Sequence, residues 1–192
     1  DLLRETAEAC NLILSHTSWE IRLLSKSNLL YKLVADNLIP ENFHQRLTFG
    51  FSTGTLGDRI ARATETGTPL VSRRPEGLHW LQDRGLRTYG MICPSLPQAD
   101  YDDFSRQACE AIRVDRCEHV WAEVLNARGA PLTRCVESLR RNDLSEAADL
   151  LAQVYSNTEA WERYARDTFE AHARNVKPDK LRYLQYVTNS SA

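Results

Sequence analysis

Between Arg87 and Cys93 the chain alternates four side chains of different chemistry, Arg87, Tyr89, Met91 and Cys93, with Thr88, Gly90 and Ile92. In an extended strand alternate residues share a face, so a cation, a phenol, a thioether and a thiol would all point the same way. A row of that kind can wall a small-molecule pocket. It does not make a catalytic centre, because Cys93 would need a cationic neighbour or a helix terminus to lower its thiol pKa before acting as a nucleophile. No catalytic residue is assigned, and the chain is read as a non-enzyme. Upstream, Arg73 and Arg74 could clamp an anion through bidentate guanidinium contacts, and Trp80 offers an aromatic wall beside Tyr89.

Other candidate chemistry is thinner. Gly50, Gly54 and Gly57 precede a helical segment at Asp58, but no Gly-Lys-Ser/Thr follows and Asp58 would repel a phosphate. Backbone geometry explains these glycines better. The five cysteines (Cys10, Cys93, Cys109, Cys117, Cys135) are odd in number and include no Cys-x-x-Cys pair, which fits neither a disulfide framework nor a zinc ribbon. Cys109, Cys117, His119 and Cys135 have zinc-ligand types at unfamiliar gaps, so no metal site is expected; Cys109 and Cys117 read as one face of a helix. A cofactor cannot be named.

At 192 residues, 42% hydrophobic and 26% charged, the chain is long enough to bury a substantial core. A formal net charge of −2 gives no general attraction to nucleic acid or anionic membranes. No apolar run approaches the roughly 18 residues that span a bilayer. Unpaired thiols point to a cytoplasmic setting.

The elements that must position the row follow from periodicity. Apolar residues at helical spacing predict a first helix over 2–14. Trp19 to Leu23 alternates as a strand, Ser25 to Asn28 is turn chemistry, and Leu29 to Ala35 is expected to return as the second arm of a hairpin. Leu47 and Phe49 suggest a third strand, 58–66 a helix stopped by Gly67, Leu70-Val71 a very short strand, and 75–84 another helix. From Asp100 the period changes to about 3.6 residues. Val120, Trp121, Val124 and Leu125 continue that pattern in a long helix ending at Gly129. Further helices are expected over 132–141, 145–154 and 159–174, with a last one from Pro178 through Val187 and a frayed tail after Thr188. The domain boundary falls near 115, with a sensor-type unit over 1–115 and an α-helical extension over 116–192.

Gly54-Thr55-Leu56-Gly57, the following helix and Thr66-Gly67-Thr68-Pro69-Leu70-Val71, continuing to Cys93-Pro94, together resemble a GAF domain over about half the chain. The resemblance implies an α+β fold with an antiparallel sheet of about five to six strands, flanking helices and, after it, a helical bundle. It implies a pocket lined from Phe49, Phe51, Trp80 and the Arg87, Tyr89, Met91, Cys93 row. The function so implied is a cytoplasmic regulatory sensor that binds a small molecule and signals through its terminal helices, as a homodimer or to a partner protein. An interaction or dimerisation module that keeps the fold without a ligand is the alternative, with a transcription-regulator fragment or a thiol reductase behind it. The helices over 145–174 invite a helix-turn-helix reading, but balanced charge and the bulky Trp161 and Tyr164 oppose DNA binding.

Overall fold

The computed structural model describes residues 2–126 and 129–184. Five strands, β1 (Ile21–Ser25), β2 (Leu47–Thr53), β3 (Thr88–Ser95), β4 (Val120–Val124) and β5 (Leu181–Leu184), form one sheet in chain order. Every neighbouring pair is parallel. The helices are α1 (Leu2–His16), α2 (Lys32–Ala35), α3 (Asp58–Thr64), α4 (Pro75–Gln82), α5 (Tyr101–Ile112), α6 (Ala130–Arg141), α7 (Ser145–Val154) and α8 (Thr158–Asn175).

The antiparallel, GAF-like sheet is therefore overturned, and the sensor reading that rested on it goes with it. The error begins at the expected hairpin. After β1 the backbone N–H of Ser27 donates to Ser25 Oγ (2.9 Å) and that of Leu29 to Ser27 Oγ (3.1 Å), turns that side-chain hydroxyls make at the end of a strand. The chain then coils into α2 instead of pairing back. Residues 26–46 form a crossover, which parallel neighbours require and hairpins do not, and Ile21 aligns with Leu47.

Two further stretches read as helix are strands. α5 stops where Arg113 takes a left-handed conformation (φ 49°), and Val120 to Val124 alternates buried and half-buried positions in β4. After Pro178 the chain forms β5; the rest of the expected last helix and the tail lie outside the described residues. Leu70-Val71 is no strand, since Val71–Arg73 is a 3-10 turn. β4 and β5 belong to the same sheet as β1 to β3, so the 116–192 segment is not a purely helical extension.

Parallel strands joined by right-handed crossovers, in an order that never reverses, place their helices on one face. This is the winding of consecutive strands in an α/β barrel, whereas a doubly wound sheet reverses its order and carries helices on both faces. On the covered face, Phe51, Ile92, Val120 and Ala122 pack with Leu78 of α4 and with Phe104, Ala108 and Ile112 of α5. Toward β1, Leu47 and Phe49 pack with Ala7, Cys10 and Leu14 of α1 and with Leu81 of α4. Each of the larger of these, Leu, Ile, Val and Phe, contributes about 1.5–3 kcal/mol by leaving water. Leu139, Ala148 and Leu151 join α6 and α7 in a separate cluster that leans on Ile60 and Ala63 of α3.

Candidate functional site

The opposite face of the sheet carries the residues of the other parity. From the register, Gly50 lies beside Tyr89, and Ser52, Met91 and Trp121 follow one another across β2, β3 and β4 with Arg182 of β5 at the end. The half of this face nearer the strands' amino ends is filled. The Tyr89 ring lies over Gly50, where an added Cβ would come within 2.3 Å of its Cζ. His119 stacks on Tyr89 with ring centres 5.3 Å apart. The Arg22 guanidinium sits 4.8 Å from the Tyr89 ring centre and hydrogen-bonds to the His119 ring. Burial and the nearby Arg22 charge hold His119 below its usual pKa, against the opposing pull of Glu118.

The half nearer the strands' carboxyl ends is open. A cleft of about 240 Å³ is lined by Met91 and Cys93 of β3, Trp121, Ala122 and Glu123 of β4, and Leu184 of β5. The Cys93 thiol donates to Glu123 Oε1. Burial, then the hydrogen bond and charge of Glu123, push this thiol well above the ordinary range, although Lys26 pulls the other way. Cys93 is accordingly a neutral thiol at physiological pH, the reverse of the activated state a nucleophile needs. Burial and the Glu123 charge also raise the Tyr183 phenol.

The surrounding carboxyl edge is rigidly tied. Lys26, just after β1, pairs with Glu65, which also holds the fully buried Arg74 (Nη2 to Oε2, 2.7 Å). Thr68 Oγ1 accepts from the same guanidinium at 2.9 Å and Pro69 O accepts from its Nε at 2.9 Å. Burial opposes ionisation of Glu65, but Lys26 and Arg74 more than offset it and hold the carboxyl low. Where β2 ends, a Cβ on Gly54 would meet Pro94 O at 2.1 Å. The glycine is there for close backbone approach. From the covered side, the Tyr164 hydroxyl of α8 donates to Ser95 O and accepts from Leu125 N (2.8 Å). His172 of the same helix meets Ser105 Oγ at 2.9 Å and Ser95 Oγ at 3.3 Å. α8 thus fixes the ends of β3 and β4, from which Cys93 and Glu123 project.

The structure brings only part of the expected pocket together. Tyr89, Met91 and Cys93 share the open face. Arg87, at the amino end, pairs with Glu118 (2.6 Å) and Glu20 (2.8 Å). Phe49 and Phe51 are buried among the helices of the covered face. Trp80 lies on that side too, 5.2 Å from Tyr31 and 3.7 Å beneath Arg84. Arg73 is exposed on its turn, and its neighbour Arg74 is the buried member of the Glu65 pair. Cys109 and Cys117 do not share a helix, since Cys117 follows a 3-10 turn after α5. Sequence reading missed Trp121, Glu123 and Leu184. The signal was present as the period-two pattern Val120-Trp121-Ala122-Glu123-Val124, absorbed into a longer helical one.

A larger hollow of about 410 Å³ lies at the far end of α5, among Arg106, Glu110, Arg113, Asp115 and Arg116. Its arginines are engaged with Asp103, Glu110 and Asp83, and it lies away from the carboxyl edge where parallel sheets bind ligands. Among the described residues, no three His, Cys, Asp or Glu side chains are grouped as a metal site. None of the described helices is long and apolar enough to cross a membrane.

The fold and cleft define an α/β protein with a singly wound parallel sheet, helices on one face and a small apolar cleft at the carboxyl edge of the other. No protein-family model, no curated protein and no solved structure matches this chain.

Proposed function

We propose that the chain is a small-molecule-binding α/β module whose ligand sits on the open face at the carboxyl ends of β3, β4 and β5. The observation that carries this reading is the cleft between Met91, Cys93, Trp121, Glu123 and Leu184. The Arg22, Tyr89 and His119 stack fills the same face of the sheet next to it, toward the strands' amino ends, and its walls come from three adjacent strands. In parallel α/β sheets the carboxyl ends of the strands are the usual ligand edge. An apolar cleft with a few polar groups is the usual form of a ligand site. The raised Cys93 thiol disfavours a thiol-enzyme role.

Met91 is the chain's one methionine, so a ¹³C-methyl-methionine label reports on the cleft. A fragment library screened by methyl NMR is expected to yield compounds that move the Met91 resonance, with Trp121→Ala weakening them about tenfold or more through lost aromatic contact. Compounds that raise the melting temperature while leaving the Met91 methyl unmoved would overturn the reading, because their site would lie elsewhere.

A further inference from the structure

We infer that the protein holds one small monovalent anion, of chloride size, at Arg74, in a cavity between the turn after β1, strand β2 and the first turn of α4. This site stands apart from the cleft and does not depend on it. Arg74 is the largest of the fully buried side chains. Its Nε donates to Pro69 O (2.9 Å), and its Nη2 donates to Glu65 Oε2 (2.7 Å) and Thr68 Oγ1 (2.9 Å). Nη1 has no hydrogen-bond partner among the described residues, although it carries two N–H donors. Leaving a donor of a charged group buried and unpaired costs more than leaving a neutral one, so an acceptor belongs there.

The same residue lines a cavity that leaves about 10 Å³ for the centre of a water-sized sphere, room for a single particle. Chloride is only slightly wider than water. Ser27 and Asn28 bound the cavity on the side of β1, and Gly77 bounds it on α4. A Cβ on Gly77 would lie 2.3 Å from Asn28 O, so the glycine lets the turn settle onto the helix. Ser27 Oγ accepts the Leu29 N–H (3.1 Å) and keeps its own O–H as a second donor.

Charge decides between a water and an anion. Lys26 and Arg74 share one carboxylate, that of Glu65, and a guanidinium does not give up its proton. The cluster therefore carries one positive charge in excess. It lies against the amino end of α4, whose first turn no side chain caps and whose dipole favours negative charge. No carboxylate lines the cavity. Asp58 is engaged by Ser72, accepting from its N–H (2.9 Å) and its hydroxyl (2.7 Å), and Glu76 of α4 is outside the lining. A water would satisfy Nη1 and leave the excess charge in place. One chloride answers both.

The test pairs a crystal of the whole chain soaked in sodium bromide with thermal unfolding in solution. Bromide scatters anomalously and water does not, so a peak in contact with Arg74 Nη1 is expected. In solution, about 0.2 M sodium chloride is compared with an equal concentration of sodium gluconate, whose anion is too large for the cavity. With a dissociation constant about one tenth of that concentration, chloride should raise the melting temperature by about 2–4 °C. In Arg74→Lys, which keeps a cation for Glu65 and loses the guanidinium fork, that difference should vanish. A water at Nη1 with no bromide, or a chloride effect undiminished in Arg74→Lys, would overturn the assignment. Bromide at Nη1 without any chloride effect on melting would be binding at crystal concentration only, and would overturn it too. If Arg74→Lys does not fold, the bromide map and the wild-type melting difference decide.

Discussion

Met91 and Ile92 are successive residues of β3, yet one lines a cleft and the other is completely buried against helices. The sheet they belong to is two-sided in a strong sense. On the covered face Phe51, Ile92, Ala122 and Ile112 are buried in one cluster. On the open face Tyr89 lies in a ring stack, and Trp121 and Glu123 line a cleft. A singly wound sheet concentrates its helices, and hence its stability, on one side. The other side is then available to vary chemically at little structural cost.

The largest expected expression of this contrast comes from truncating the two neighbours. Ile92→Ala leaves a cavity in a locked core and should cost about 2–5 kcal/mol. Met91→Ala removes a half-exposed side chain and should cost under about 1.5 kcal/mol. Urea denaturation of both variants measures the difference directly. Equal losses would mean that the open face is packed as tightly as the covered one.

Protonation offers a second contrast of smaller size, because each face carries one histidine with a lowered pKa. His172, on the covered side, is pushed down to about 4 by burial. In the unfolded chain it would titrate near 6.5. Between those values the unfolded state binds more protons, so stability is fully present above about pH 6.5 and is lost as pH falls toward 4, by about 3 kcal/mol in all. His172→Gln should remove that slope, even though it lowers stability at neutral pH by disturbing Ser95 and Ser105. His119, on the open face, is depressed less completely by burial and Arg22. Its substitution by Gln should remove only a smaller part of the slope of urea stability against pH, leaving the larger part set by His172. A steep slope that survives His172→Gln would place the acid sensitivity elsewhere.

The two faces also differ in how they announce themselves in the sequence. The alternation in β3 was readable because Tyr89, Met91 and Cys93 differ so sharply from Thr88, Gly90 and Ile92. The face they share was therefore legible before the fold was. The direction of the strands was not. Nothing in Trp19 to Ala35 separates a hairpin from a strand followed by a crossover, since both need a polar turn after Ser25, and α2 is only four residues long. β4 was hidden for a related reason. Its apolar positions Val120, Trp121, Val124 and Leu125 also satisfy helical spacing, and five residues carry too little periodicity to decide. Once β4 is misread, Glu123 and Trp121 cannot be placed next to Cys93, and the cleft disappears from view. Leu184 was lost in the same way, since Pro178 reads as readily as a helix start as it does as the lead-in to β5.

The smallest of the expected effects is the most diagnostic, because it uses the same substitution on each face. A Cβ at Gly90 would lie 2.5 Å from Ile112 Cδ1, and one at Gly50 would lie 2.3 Å from Tyr89 Cζ. At Gly50 three atoms of the Tyr89 ring lie within 2.7 Å of that position and at Gly90 only the Ile112 Cδ1 methyl is so close, but the neighbours differ in how far they can move. Ile112 is fully buried between β3 and α5, so Gly90→Ala must force helix and sheet apart, an overpacking cost of about 1–3 kcal/mol. Tyr89 is covered on its outer side by the exposed Arg22 and the half-buried His119, which can shift with it. Gly50→Ala should therefore cost about 1 kcal/mol or less of stability, at the low end of that range. Its main effect should fall on binding: the displaced phenol rises into the space beside Met91, and probes that move the Met91 methyl should weaken by about tenfold. A Gly50→Ala protein that binds as well as wild type would show that the position of Tyr89 does not bear on the cleft, and a Gly90→Ala protein of undiminished stability would show that the covered face yields as easily as the open one.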